Sequence, residues 1–118
     1  MAEKFIKNMD QETVLQLAEQ VQVLPGQVVS KTLAQNRAVS ITLFAFDKGE
    51  EIGSHDSEGD AMVTVLEGTG RFTVDGTEHP VRAGEVLIMP AGKPHAVFAP
   101  EAIKMLLIVV FPNDNREE

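Results

Sequence analysis

The hardest constraint on this chain is its punctuation. Between residues 38 and 112, short segments of alternating apolar and polar residues are broken by glycine or proline turns before a helix of ordinary length can form. A period of two sends successive side chains to opposite faces, so these segments read as strands. The sharpest mark is Asp75-Gly76. Both residues tolerate positive φ, which predicts a two-residue hairpin between 71–74 and 78–82. Pro90 ends the segment 85–89 because it cannot donate to a sheet. Further strands are expected at 28–33, 38–46, 61–67, 95–99 and 102–111, and 47–60 is expected to be a loop rich in acidic residues. Ahead of them, the spacing of Val14, Leu17, Ala18 and Val21 predicts a short helix over 11–20 with Asp10 as its N-cap. Short strands at this spacing, without a βαβ pattern, indicate an all-β sandwich or barrel.

With 118 residues the chain forms one domain. Residues 1–37 hold the helix and leading strands, 38–112 the barrel, and 113–118 a polar tail expected to fray. The net charge of −8 repels phosphate backbones and anionic membranes. Phenylalanine is the only aromatic type, which argues against a stacking platform for single-stranded nucleic acid. There is no cysteine, so disulfides, thiolate metal sites and a cysteine nucleophile are excluded. The first twelve residues carry no apolar signal core, and the run Met105 to Phe111 is too short to span a bilayer as a helix. The expected location is cytoplasmic.

Two segments depart from alternation. Val86 to Met89 and Met105 to Phe111 are apolar on both faces. In so small a protein this predicts that an outer wall meets a second copy, giving a homodimer; the alternative is that the N-terminal segment covers the wall. Lys104 stands inside an apolar run, so its ammonium must reach water, an interface carboxylate or the pocket, and extension to solvent is the expectation. His79, just after the hairpin, is expected at the surface without a role.

His55 and His95 lie at expected strand ends, forty positions apart, with Asp56, Glu58 and Asp60 beside the first. Neutral imidazole is a common metal ligand, and two histidines with a carboxylate can hold a first-row metal. Spacing alone is weak support for such a site. The flanking residues say more. Gly49 is followed by five residues, His55, and then a closing Gly68; Gly84, Pro90, Gly92 and His95 follow in a second block. In both blocks the chain resembles the cupins over about residues 40–110. That resemblance implies a double-stranded β-helix (jelly-roll) barrel of the small, single-domain kind.

The resemblance also implies a four-ligand metal site, of which His55 and His95 remain. Ser57 stands at the family's second histidine, Ala61 at its glutamate and Ala99 at its asparagine. Three outcomes follow. One divalent metal (iron, manganese, nickel or zinc) sits on His55 and His95 with a loop carboxylate. Otherwise there is no metal, and the imidazoles are polar groups of a ligand pocket, or they are hydrogen-bonded to their neighbours with no ligand at all. Asp60 precedes the glutamate position by one and should face away from the barrel. Alternation turns Ala61, Val63 and Val65 inward, and Val97 and Ala99 inward with His95. The expected pocket is therefore His55, Ser57, Ala61, Val63, Met89, His95 and Val97, with Met62 and Met105 as further candidates. It suits a small, partly apolar or acidic molecule. Three functions stand: a binding or sensing barrel without robust catalysis, a metal-dependent dioxygenase or isomerase, and a purely structural barrel. An imidazole acting as a general base keeps catalysis open without a metal.

Overall fold

The computed structural model describes residues 3–113; most of the expected tail, 114–118, lies outside them. The described residues form nine strands: β1 (Val28–Gln35), β2 (Val39–Phe46), β3 (Glu51–His55), β4 (Asp60–Glu67), β5 (Thr69–Val74), β6 (Thr77–Arg82), β7 (Val86–Met89), β8 (His95–Phe98) and β9 (Ile103–Val110). They form two antiparallel sheets, ordered β1-β2-β9-β4-β7 and β3-β8-β5-β6. From β2 onward the chain passes back and forth between the sheets, staying in one only at the β5–β6 hairpin. This is the double-stranded β-helix. The hairpin turns at Asp75 (φ 49°) and Gly76 (φ 87°), the two positive φ values its sequence requires.

The core lies between the sheets. Phe46, Val63, Val65, Phe72 and Ile103 are fully buried there, and Ala61, Val97 and Ala99 join them. The inward alternation of β4 and β8 is thus realised. A second apolar layer lies on the outer face of the larger sheet. Leu43 and Ala45 of β2, with Leu66 and Leu106, meet Val21, Leu17, Val23 and Met9 from the N-terminal segment.

Two expectations change here. The helix over 11–20 is a single 3-10 turn, Leu17–Gln20. Asn8 and Glu12 adopt positive φ, which breaks helical winding, and Val14 is fully exposed. Leu17 and Val21 do pack inward, so the apolar spacing marked contacts and not a helix. The loop expected over 47–60 contains β3. That strand is exposed at every residue but Ile52, so it lacks the alternation by which strands are read.

Lys104 is not extended to solvent. It is buried, and its Nζ donates to the Ala18 carbonyl at 2.7 Å, with the Glu67 carboxylate 3.7 Å away. Lys31 Nζ likewise donates to the Gln20 carbonyl at 3.0 Å. Two lysines from the sheet thus bond carbonyls of a turn too short to satisfy its own. His79, on β6 opposite Phe72, is half-buried.

Candidate functional site

The β3–β8 pairing places His55 directly opposite His95, after an irregularity in the ladder beyond Ile52. Their rings meet edge to face, 4.4 Å between centroids at 64°. His95 is buried, at 7% exposure, while His55 stands at the rim. Each ring bonds the carbonyl two residues before it: His55 Nδ1 to Gly53 O at 2.9 Å, and His95 Nδ1 to Lys93 O at 3.2 Å. A carbonyl can only accept, so both Nδ1 atoms carry the hydrogen. In the neutral rings Nε2 is then a bare acceptor on each. Burial, and the neighbouring His55, push the His95 pKa below the ordinary imidazole value of 6.5; the Lys93 carbonyl and Asp56 oppose the shift.

Both rings line a chamber of about 80 Å³ inside the barrel. Met89 and Val97 line it as well, together with Phe44, Ile52, Phe72, Ala96, Met105 and Leu107. Of the residues expected at the pocket, the structure therefore brings together His55, Met89, His95 and Val97. Ala61 and Val63 are packed in the core and do not line the chamber. Ser57 belongs elsewhere. Its hydroxyl donates to Gly59 O at 2.7 Å and accepts the Gly59 N–H at 3.2 Å, and it borders a wide open groove with Asp56, Glu58, Arg37 and Phe111. Met62 lies on the outer face, and Met105 lines the chamber. Phe44, Phe72 and Leu107 were missed as lining residues. Alternation marks them as inward, but not which inward residues border a cavity.

A stable divalent site usually takes three protein ligands. Among the described residues no three His, Cys, Asp or Glu side chains converge closely enough to hold a metal ion. The Asp60 carboxylate accepts the Ala91 N–H at 2.8 Å, on the exposed face where alternation puts it, and Asp56 and Glu58 border the outer groove. The residues present do not match the four-ligand divalent centre that the sequence motifs imply.

The cupin domain model matches residues 42–111. This chain belongs to the cupin family. Among solved structures it is similar to a conserved protein of unknown function from Streptococcus pyogenes, 45% identical over 96% of this chain and 99% of that one, with a TM-score of 0.93. It is also similar to a cupin superfamily protein from Desulfitobacterium hafniense, 34% identical over 91% of this chain and 98% of that one, with a TM-score of 0.87. A curated relative, dimethylsulfoniopropionate lyase DddW of Ruegeria pomeroyi, is 30% identical over 65% of this chain and 51% of its own length. The chain thus spans about half the length of that curated relative. No helix among the described residues is long and apolar enough to cross a membrane.

Proposed function

We propose that this cupin is a small-molecule binding protein whose chamber takes a compact, mainly apolar ligand bearing one hydrogen-bond donor. One observation carries the reading: two neighbouring imidazoles, both with Nδ1 committed to backbone, bring two acceptor nitrogens to the border of an apolar chamber. A hydroxyl or N–H donor satisfies them. A carboxylate, which only accepts, does not while both rings are neutral. Of the two ligand classes expected from the sequence, the apolar donor is therefore favoured over the acid. At about 80 Å³ the chamber is well below the ~300–1,000 Å³ of drug-sized sites, so a larger ligand would leave part of itself outside the His55 rim.

The lyase activity named for the Ruegeria relative is not carried over, because the match covers about half of that protein. The bare nitrogens do favour one second reading, a metal-free enzyme in which Nε2 removes a proton from the bound molecule. One experiment addresses both: an NMR screen of small alcohols, phenols and azoles beside their O- or N-methyl counterparts and matched carboxylates. Donor compounds are expected to shift the His55 and His95 ring signals and the Met89 methyl, and to lose binding in His95→Ala. Methylated compounds or carboxylates binding equally well would refute the donor reading. Conversion of the ligand during the screen would establish the enzyme.

A further inference from the structure

One wall of the chamber stands in the space of a side chain that the sequence leaves out. Gly70 and Phe72 lie two positions apart on β5, both buried, and alternation turns both into the barrel. The Gly70 backbone does not require glycine, since its φ is not positive. Phe72 requires it. A Cβ at position 70 would lie 2.7 Å from Phe72 Cε1 and 3.2 Å from Cζ, whereas carbon atoms in contact settle about 3.5–4.0 Å apart. The ring thus leans over Gly70 and fills its side-chain space. The same ring lines the chamber. Phe72 is opposite Val97 on β8, and Val74 is opposite His95, so the ring stands one inward step, about 7 Å, from His95. Phe72 is fully buried while His55 is at the rim, which makes the ring the chamber's inner wall.

We propose that Gly70 and Phe72 together set the size of ligand the chamber admits. Glycine at 70 lets the ring lean back and holds the chamber open; a larger residue there closes it. Any side chain at 70 has to displace the ring. Ile103 Cδ1 stands 3.2 Å from the same Cβ position and is itself fully buried. Val81, the partner of Gly70 on β6, is packed in the core. The unfilled volume at the ring's border is the chamber, so an overpacked ring moves into it. The proposal rests on the ligand-binding reading for the ligand's chemistry and adds its dimensions. The imidazoles choose the donor group, and the ring fixes how much apolar body can follow it inside. An apolar cavity of ~150 Å³ encloses a benzene ring. A chamber of about 80 Å³ encloses an aliphatic group of a few carbons, and a ring fits fully only once Phe72 is shortened.

The test uses xenon, which enters dry apolar cavities and has no hydrogen-bonding group, so its uptake does not depend on the imidazoles. Xenon is expected to shift the methyl signals of Val97, Met89 and Met105 in wild-type protein, all of which line the chamber. Gly70→Ala should lose those shifts, and Gly70→Ala combined with Phe72→Leu should regain them. Phe72→Leu alone keeps the native glycine and reads the same wall if Gly70→Ala does not fold. It should bind benzene more tightly than wild type does, by about tenfold or more. The proposal is overturned if wild-type protein takes up no xenon, if folded Gly70→Ala takes it up as wild type does, if the folded double variant stays closed, or if Phe72→Leu gains no affinity for benzene. Equal binding of alcohols and their methyl ethers would refute the donor reading and leave these results unchanged, so the two failures are distinct.

Discussion

Replacing Lys104 by methionine keeps the length and apolar stem of the side chain and removes only the ammonium. In the native fold that ammonium donates to the Ala18 carbonyl at 2.7 Å, across 86 positions of sequence. A hydrogen bond from a charged donor contributes about 1.5–3 kcal/mol net. The Glu67 carboxylate at 3.7 Å adds little, because its side chain is 55% exposed and such pairs contribute about 0–1 kcal/mol. Relief from burying a charge offsets part of the loss. The expected net cost is about 2 kcal/mol, or a fall in Tm of roughly 8 °C for a chain of this size. Urea unfolding followed by circular dichroism measures the cost. Hydrogen exchange locates it: amides at 17–23 should lose protection before those of β4 and β5. Glu67→Gln, the control, should change stability by less than about 0.5 kcal/mol. If Lys104→Met is as stable as wild type and the amides at 17–23 stay protected, apolar packing alone holds the N-terminal segment and the argument fails.

Gly68 adopts φ +79°, and a Cβ there would overlap the Ala102 carbonyl oxygen. Gly68→Ala should therefore cost more than the ~1 kcal/mol of a left-handed non-glycine residue alone; a melt within 2 °C of wild type would refute this. In metal-free protein the depressed pKa of His95 means that the unfolded chain takes up a proton before the folded one does. Its contribution is intact above pH 6.5, declines as pH falls below that value, and is lost once the folded ring itself protonates. The stability difference between wild type and His95→Asn should change across that window in urea titrations; a constant difference would remove the linkage. The homodimer expected from the sequence is proposed to form on the outer row Ile88, Met62 and Ile108, which are in register across β7, β4 and β9. Sedimentation should show twice the 12.8 kDa chain mass, reverting to a single chain in Ile88→Asp; a monomer at micromolar concentration would refute it.

The sequence was most legible where geometry is local. Asp75-Gly76 had one plausible turn, and alternation in β4 correctly turned Ala61, Val63 and Val65 inward. His55 and His95 could be set together only through the family resemblance that the glycines and prolines around them carry, since nothing local joins residues forty positions apart. The misreadings came from residues whose partners are remote. Lys104 looked like a cation seeking water because the carbonyl that receives it lies in another segment. The spacing of Leu17 and Val21 resembled a helix because the outer face of the sheet asks for similar apolar intervals. β3 was hidden by its exposure, which leaves no burial pattern to read. Met89 was legible as a pocket residue, but its place beside Ala61 required the register of β7 against β4.

The strand order has a consequence for how the molecule is made. β9 leaves the ribosome after the other eight described strands, yet it lies at the centre of the larger sheet, between β2 and β4. Until it emerges, those two strands have no hydrogen-bonded neighbour on their facing edges, and the Ala18 carbonyl has no Lys104 to meet. Long-range pairing of this kind is slow, and it leaves strand edges open to other chains in the meantime. A nascent chain stalled before residue 103 would hold two half-sheets and an unanchored N-terminus. The assembly is keyed by that eight-residue strand, so the barrel cannot close until residues 103–110 have been made.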